Sequence, residues 1–429
     1  TIPIITGGGG STINNPIIIT PNSLLTSYGT TAPGGTVLNL VVTSNPIEDF
    51  ANQSDTHGVA DALDSIAASG VALTGSLQTI FNQLLTYGDV ASLNEALSTL
   101  VPQVNGAIIN EGVNAQNLTF NQIYDHINNQ SFWDKHYGKL SSGIDAGDTN
   151  NPKSGWVQVF KQHGNQSPRG DMSGYKNDTW GVIVGGDAYY RDDLLLGGAL
   201  SWSKLDIHDK STPHLKTKAD SYQAALYASL ECATPWYYNG IVALAVNDYS
   251  SERYIRVGNV NLYPHADYDG WQAGAKLEAG YVYDHDTWQV IPMASAYYTH
   301  LSLDAYTETG ANTASLNVRD ASFDALILGG GFKLVNELVI ENQRFFQGEF
   351  HTMVFYDLIG DTMALTAQFT GAGPNFRSNG FSPAKASLNL GANASLFSAN
   401  NWIFSLSYDF DVKQDYTANA GFLRVRHEW

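Results

Sequence analysis

The sequence predicts an all-β transmembrane barrel of about twelve antiparallel strands, preceded by an α-helical segment of which one helix threads the barrel lumen. Three observations lead there. From Ser154 to the C-terminus apolar and polar residues alternate with period two. The connections between these runs are short and long by turns. No apolar run approaches the roughly 18 residues that a spanning helix needs.

The alternation is clearest in three runs. In NDTWGVIVGGDAYY, Trp180, Val182, Val184, Ala188 and Tyr190 alternate with Gly181, Gly185 and Asp187. In SYQAALYASL, Tyr222, Ala224, Leu226, Ala228 and Leu230 alternate with Gln223, Tyr227 and Ser229. In GWQAGAKLEAGYVYD, Trp271, Ala273, Ala275, Leu277, Ala279, Tyr281 and Tyr283 alternate with Gln272, Lys276 and Glu278. One face is apolar with aromatics at its ends and the other is small, polar or charged. That is the apolar-out, polar-in pattern of a membrane barrel, the reverse of a soluble one.

Short turns are expected near 191–193, 232–235, 284–287 and 398–401, with a slightly longer one near 335–343. Between them fall long polar loops near 163–177, 204–218, 251–265, 302–318 and 358–383. Short turns on one side of the bilayer and long loops on the other suit an even-stranded barrel. Closure is required, because a strand facing lipid must bond all its backbone groups to neighbours.

The chain has two compositional halves. Eight of nine Trp and 19 of 23 Tyr lie after residue 154. Residues 1–50, rich in Gly, Thr, Ser, Asn and Pro, read as linker with a few short strands (PIIIT, TVLNLVV). GGGG at 7–10 lacks the following Lys-Ser/Thr and helix of a phosphate-cradling loop. From about 52 apolar residues recur at helical spacing: Val59, Leu63 and Ile66, then Leu77, Ile80 and Leu84, then Leu93, Leu97 and Leu100 before Pro102. Val104 to Asn129 carries Ile108, Leu118, Ile123 and Ile127 but is crowded with Asn and Gln. Such a helix needs a polar enclosure, and a barrel lumen supplies one. The divisions expected are 1–50, 51–153 and 154–429.

Several chemistries find no foothold. Net charge is −19, from 22 Lys+Arg and 41 Asp+Glu, with no basic cluster of the kind that nucleic acid requires. A single cysteine, Cys232, makes no disulfide or metal cluster. The 11 His show no paired ligand spacing, and no G-x-S-x-G elbow is present. Neither metal nor cofactor is expected.

The region from Ser154 to Trp429 resembles the autotransporter β-domain, and the helical stretch before it resembles that family's linker helices. The residues carrying the resemblance are SGWVQVF, GVIVGGD, LEAGY at 277–281 with Pro292 in the next strand, DALILGGGF at 324–332 and LNLGANASL. The ending GFLRVRHEW is the most specific. After Gly421, Leu423, Val425, His427 and Trp429 share one face, while Arg424, Arg426 and Glu428 share the other. It resembles the terminal signal read by the outer-membrane assembly machinery, although His427 stands where an apolar or aromatic residue is usual.

The resemblance implies a monomeric translocator in outer-membrane lipid that carries an N-terminal passenger to the cell surface. Asp187, Lys276 and Glu278 would face the lumen, either bonding the helix or simply solvated. Some relatives cut themselves at a lumenal Asn-Asn pair; here Asn128-Asn129 is the candidate, with Asn150-Asn151 less suitably placed. Arg169-Gly170-Asp171, in the first long loop, is an integrin-type triplet that ordinary composition also produces. The rival readings are a general porin and a self-processing outer-membrane enzyme.

Overall fold

The computed structural model describes residues 2–6, 23–31, 37–102, 107–137, 153–170, 173–210, 216–340, 344–360, 364–380, 383–398 and 401–429. At 2–6, 27–31, 37–44, 129–137, 339 and 344 it describes the backbone alone. Near the N-terminus Ile2–Thr6, Thr26–Thr31 and Val37–Ser44 form a three-stranded antiparallel sheet with the last strand in the middle.

Four helices follow: α1 (His57–Ala68), α2 (Gly75–Leu84), α3 (Val90–Ser98) and α4 (Ala107–Tyr137). The first three bury the stripes seen in the sequence: Val59, Leu63 and Ile66; Leu77, Ile80 and Leu84; Leu93 and Leu97. Asp89 caps α3, its carboxylate accepting the Ser92 N–H at 2.8 Å.

The barrel comprises twelve strands: β1 (Lys153–Gln166), β2 (Tyr175–Arg191), β3 (Leu194–Asp209), β4 (Lys216–Glu231), β5 (Trp236–Glu252), β6 (His265–Tyr281), β7 (Trp288–Leu303), β8 (Ala321–Ile340), β9 (Arg344–Asp357), β10 (Ala386–Phe397), β11 (Trp402–Lys413) and β12 (Tyr416–Glu428). Each pairs antiparallel with its neighbours in sequence. Closure comes from β12 on β1, in register from Tyr416↔Gln166 to Glu428↔Ser154.

The outward face matches the alternation. Leu200, Leu226, Leu244 and Leu277 are about two-thirds exposed, as lipid-facing side chains should be when lipid is absent. Aromatics ring both ends: Trp180, Trp202, Tyr222 and Trp271 toward the long loops, Tyr190, Trp236, Trp288 and Trp402 toward the short turns. Trp180 and Tyr190 lie ten residues apart on β2. At about 3.3 Å per residue and a tilt near 40°, that spans about 25 Å, the height of a bilayer's apolar band.

The long loops form a cap. Ile255–Val257 pairs with Val260–Leu262, and Tyr306–Thr307, Leu316–Val318, Ala364–Phe369 and Phe376–Asn379 form a four-stranded sheet. Helices α1 to α3 pack on these elements in one apolar core that includes Leu63, Leu77, Leu93, Ile255, Val257, Leu316 and Phe369. Gly58 lets α1 touch the backbone of Arg377; a Cβ there would lie 2.1 Å from that carbonyl oxygen. Across the cap Arg253 Nε and Nη2 donate to both oxygens of buried Glu308 at 2.9 and 2.6 Å. Its Nη1 donates to the Thr99 carbonyl, and the Leu316 N–H donates to Glu308, so four hydrogen bonds tie three segments together.

Three expectations are corrected. Strand β8 continues to Ile340 rather than ending near 335, and pairs with β9 down to Ile340↔Arg344, because a barrel wall must keep its edges bonded beyond the last clear alternation. The tight turn between β11 and β12, with Asp415 at φ 58, was not anticipated; Asp286 and Asn401 hold the same left-handed conformation in two short turns. The lumen is also not uniformly polar. Trp156, Phe160, Ile183, Tyr227, Tyr297 and Phe422 point inward and pack on Leu118, Phe120, Ile123 and Ile127. A helix filling the pore replaces water along that wall, so apolar residues there face a dry surface.

Candidate functional site: the occupied lumen

Helix α4 enters at the cap and runs toward the short-turn end. At 31 residues it is about 46 Å long, enough to traverse the barrel. Its side chains meet the wall in layers. Near the mouth, buried Glu111 accepts from Tyr175 Oη (2.9 Å), Asn177 Nδ2 (2.8 Å) and Tyr416 Oη (3.1 Å), spanning β1's two neighbours β2 and β12. One turn further, Gln116 Oε1 accepts from Thr299 Oγ1 at 2.8 Å and Tyr297 Oη at 3.0 Å.

Deeper, Lys276 donates to Asn121 and, at 3.3 Å, to Asn117, with its ammonium 5.3 Å from the centre of the Tyr124 ring. Tyr124 Oη donates back to the Lys276 carbonyl at 2.6 Å. Opposite lies a charge chain. Lys333 sits 3.0 Å from Glu349 and 3.8 Å from Asp125, while His351 lies 3.4 Å from Glu349 and 3.2 Å from Asp409. Arg424, on β12, directs its guanidinium to the carbonyls of Gln122 and Asp125.

Asp187 is the most fully engaged of the expected lumenal groups. It accepts from Ser154 Oγ (2.6 Å) and Tyr227 Oη (2.7 Å), and His126 Nε2 lies 2.6 Å away. The His126 ring stacks on Trp156 at 4.6 Å, and the indole donates to Tyr227 at 3.0 Å. Glu278 accepts from Tyr237 Oη at 3.2 Å and faces Asn128 Nδ2 at 3.4 Å, while Asn239 Nδ2 donates to Asn128 Oδ1 at 2.9 Å. Asp187, Lys276 and Glu278 thus all meet α4. Burying such groups costs several kcal/mol per ion unless partners are supplied, and here they are. Between Asn128, Asp125, Lys276, Lys333 and His351 remains a cavity of about 30 Å³, room for one water.

The other residues singled out by sequence fall elsewhere. Leu423 and Val425 face outward, and His427 is sandwiched between Trp402 (4.5 Å) and Trp429 (5.8 Å) at the short-turn end. An aromatic girdle thereby accommodates the imidazole that the resemblance found unusual. Gly421 also lies on that face, with open space beside its Cα. Arg169 donates to Gln414 Oε1 at 2.8 Å beside Gly170, whereas Asp171 lies outside the described residues. So do Asn150-Asn151 and the side chain of Asn129, although Asn129 belongs to α4.

Sequence reasoning missed Glu111, Gln116, Gln122, Asp125 and His126 on α4. Gln122, Asp125 and His126, at i, i+3 and i+4, were a usable signal, since that spacing puts them on one face of a helix, whereas Glu111 and Gln116 follow no such spacing. Among the described residues no group of three or more His, Cys, Asp or Glu is arranged to hold a metal, and no helix is long and apolar enough to cross a membrane.

A closed twelve-stranded barrel with a lipid-exposed outer face, aromatic girdles and a lumen filled by a bonded helix defines a helix-plugged outer-membrane barrel. Residues 155–409 match the family model "Autotransporter beta-domain", and the chain belongs to that family. It is a translocator of the bacterial outer membrane.

Its relatives are long proteins. It is 26% identical over 409 residues to outer membrane protein B of Rickettsia typhi, covering 91% of this chain and 24% of that protein. To outer membrane protein B of Rickettsia conorii it is 29% identical over 301 residues, covering 67% and 18%. The chain therefore spans about a quarter or less of the relatives it matches. Among solved structures, the translocator domain of autotransporter NalP from Neisseria meningitidis has the same fold, with a TM-score of 0.52 at 15% identity, covering 72% of this chain and 97% of that one.

Proposed function

We propose that residues 154–429 anchor a surface protein whose N-terminal passenger they export, that 51–153 are linker and pore helix, and that 1–50 are the end of the passenger. The observation that supports this best is the chain path, in which α4 joins the cap at one end of the barrel to β1 at the other through the lumen. The outward residues Gly421, Leu423, Val425, His427 and Trp429 are the proposed recognition strip for the assembly machinery, and the barrel works as a monomer. The test is display. With an export signal and an epitope fused ahead of residue 1, antibody should label intact cells, and truncation after Lys413, which removes β12, should abolish labelling. Labelling that persists without β12, or an epitope accessible only after lysis, would overturn the reading.

A second activity, self-cleavage at Asn128-Asn129, is favoured by one observation: the Asn128 amide is held between Asn239 and Glu278. In the proposed step Asn128 Nδ2 attacks its own backbone carbonyl carbon. The bond to Asn129 breaks, residue 128 becomes a succinimide and Asn129 gains a free amine. Glu278 accepts the Nδ2 proton, which passes to the leaving amine. Mass spectrometry of the folded chain should find both fragments, slowed by E278Q and absent in N128A; a chain still intact after prolonged folding removes the proposal.

A further inference from the structure

Lys413 closes β11 and turns into the upper lumen, where its ammonium donates to Asn114 Oδ1 of α4 at 2.5 Å. The other end of the same carboxamide is also engaged. Asn114 Nδ2 donates to Glu111 Oε2 and to Tyr416 Oη, both at 3.4 Å, and Tyr416 Oη donates to Glu111 Oε2 at 3.1 Å. These partners fix which way the amide points. Turned over, it would set an NH2 group against the ammonium and a carbonyl oxygen against the carboxylate.

Lys413 is not placed as a counter-ion. Deeper in the lumen Lys333 sits against Glu349 at 3.0 Å and Asp125 at 3.8 Å, whereas Lys413 has no carboxylate within 4 Å among the described residues and meets an amide carbonyl instead. Glu111 is 1% exposed, and the Tyr416 ring lies 5.6 Å from Lys413 Nζ. Beside Lys413 is a cavity of about 50 Å³, lined in part by Ile109, Val113, Phe323 and Ile327, with room for a few waters only. An amine, a carboxamide carbon and a carboxyl group on the leaving nitrogen thus converge away from bulk water. Reactants already held in contact escape the entropic cost of an encounter.

We propose that Lys413 and Asn114 join in an amide bond, an internal cross-link that fastens the pore helix to the barrel wall. The Lys413 ammonium first gives one proton to Glu111. The amine Nζ then bonds to Asn114 Cγ, the Cγ–Nδ2 bond breaks, and Glu111 protonates Nδ2 while taking a further proton from Nζ. Ammonia leaves with that proton as ammonium, so the Glu111 carboxylate is restored and no oxidant or cofactor is consumed. The bond keeps α4 in the pore whatever is attached ahead of it. The proposal goes beyond export and does not depend on a cut at Asn128; the fragments of a cut chain come apart only where the bond has not formed.

The test is mass spectrometry of the full chain folded in detergent, in an N128A background so that it stays whole. This parent should be lighter than its sequence by one ammonia, and a digest should contain a peptide pair joined through residues 114 and 413. K413R and N114A should keep the sequence mass, and N114D should restore the bond with loss of water in place of ammonia. E111Q should form the bond roughly a hundredfold or more slowly, as expected when the group that moves the protons is lost. Heat-modifiable gel mobility reports that each barrel is closed. A parent still at its sequence mass after prolonged folding overturns the proposal. So does the same loss of ammonia in K413R, because an asparagine would then have closed to a succinimide, and a bond formed as fast in E111Q as in the parent overturns the part given to Glu111.

Discussion

Replacing Arg253 with methionine should open the cap without opening the barrel. The guanidinium is 4% exposed and Glu308 6%, so the substitution strands a carboxylate in an apolar core between α3, the 255–262 hairpin and the 306–318 segment. Breaking a buried pair by removing one partner costs about 3–5 kcal/mol, mostly from the charge left behind. At 1.4 kcal/mol per factor of ten, amide exchange in α1 and α3 through cap opening should accelerate roughly a hundred- to several-thousand-fold. Exchange in β1 to β12 should not change, because the strands are held by their own ladders and by α4. In R253M/E308L, which removes both charges, most of the loss should be recovered. Hydrogen exchange with mass spectrometric readout of peptides covering 57–68, 90–98 and the strands is the assay. Acceleration below about tenfold in R253M, or a double variant as open as the single one, would refute the reasoning that this pair locks the cap.

Three further outcomes follow from other parts of the molecule. Leu226 is 68% exposed on the outer face of β4 near mid-height, so Leu226→Arg should destabilise folding into vesicles by about 2–4 kcal/mol in a urea titration; a loss under about 0.5 kcal/mol would mean that the position does not face lipid. Gly58→Ala places a methyl group 2.1 Å from the Arg377 carbonyl and should speed protease cleavage of the cap, whereas Gly112→Ala, whose Cβ meets only Leu301 Cδ2 at 3.3 Å, should leave it resistant; equal cleavage of the two would contradict the packing. The Ser92 backbone N–H and hydroxyl hold the Asp89 carboxyl below its ordinary value, so its cap on α3 is fully present above that ordinary value and is lost as pH falls through the lower one. An NMR titration of Asp89 should give a midpoint under that of a model aspartate, near 3.9, and a midpoint at or above it would show that the cap is not formed.

Much of the fold was legible because a bilayer constrains both faces of every strand. Trp180, Val182 and Val184 must face out if Asp187 faces in, and period two carries that parity through the strand. The helices were legible from Val59–Leu63–Ile66 and its successors, but their position was not. The cap forms through contacts such as Gly58 with Arg377 and Arg253 with Thr99 and Glu308, pairs far apart in the chain that no local pattern announces. The lumenal roles of Asp187, Lys276 and Glu278 were legible as a direction, inward, and not as partners. Which helix residue each one meets depends on how far α4 is inserted and how it is rotated. Inward aromatics such as Trp156 and Phe422 broke the expected polarity of the lumen for a related reason. A strand pattern records the average environment of a face, not the object that fills it.

The account stands or falls on α4 occupying the pore, and single-channel recording in planar bilayers addresses that directly. The full chain should show only small, rare conductance. A chain lacking 103–150, with its barrel closure verified by heat-modifiable mobility, should show a large, stable, water-filled conductance. An intact chain that conducts as freely as the deleted one would contradict the occupied lumen and favour an open porin.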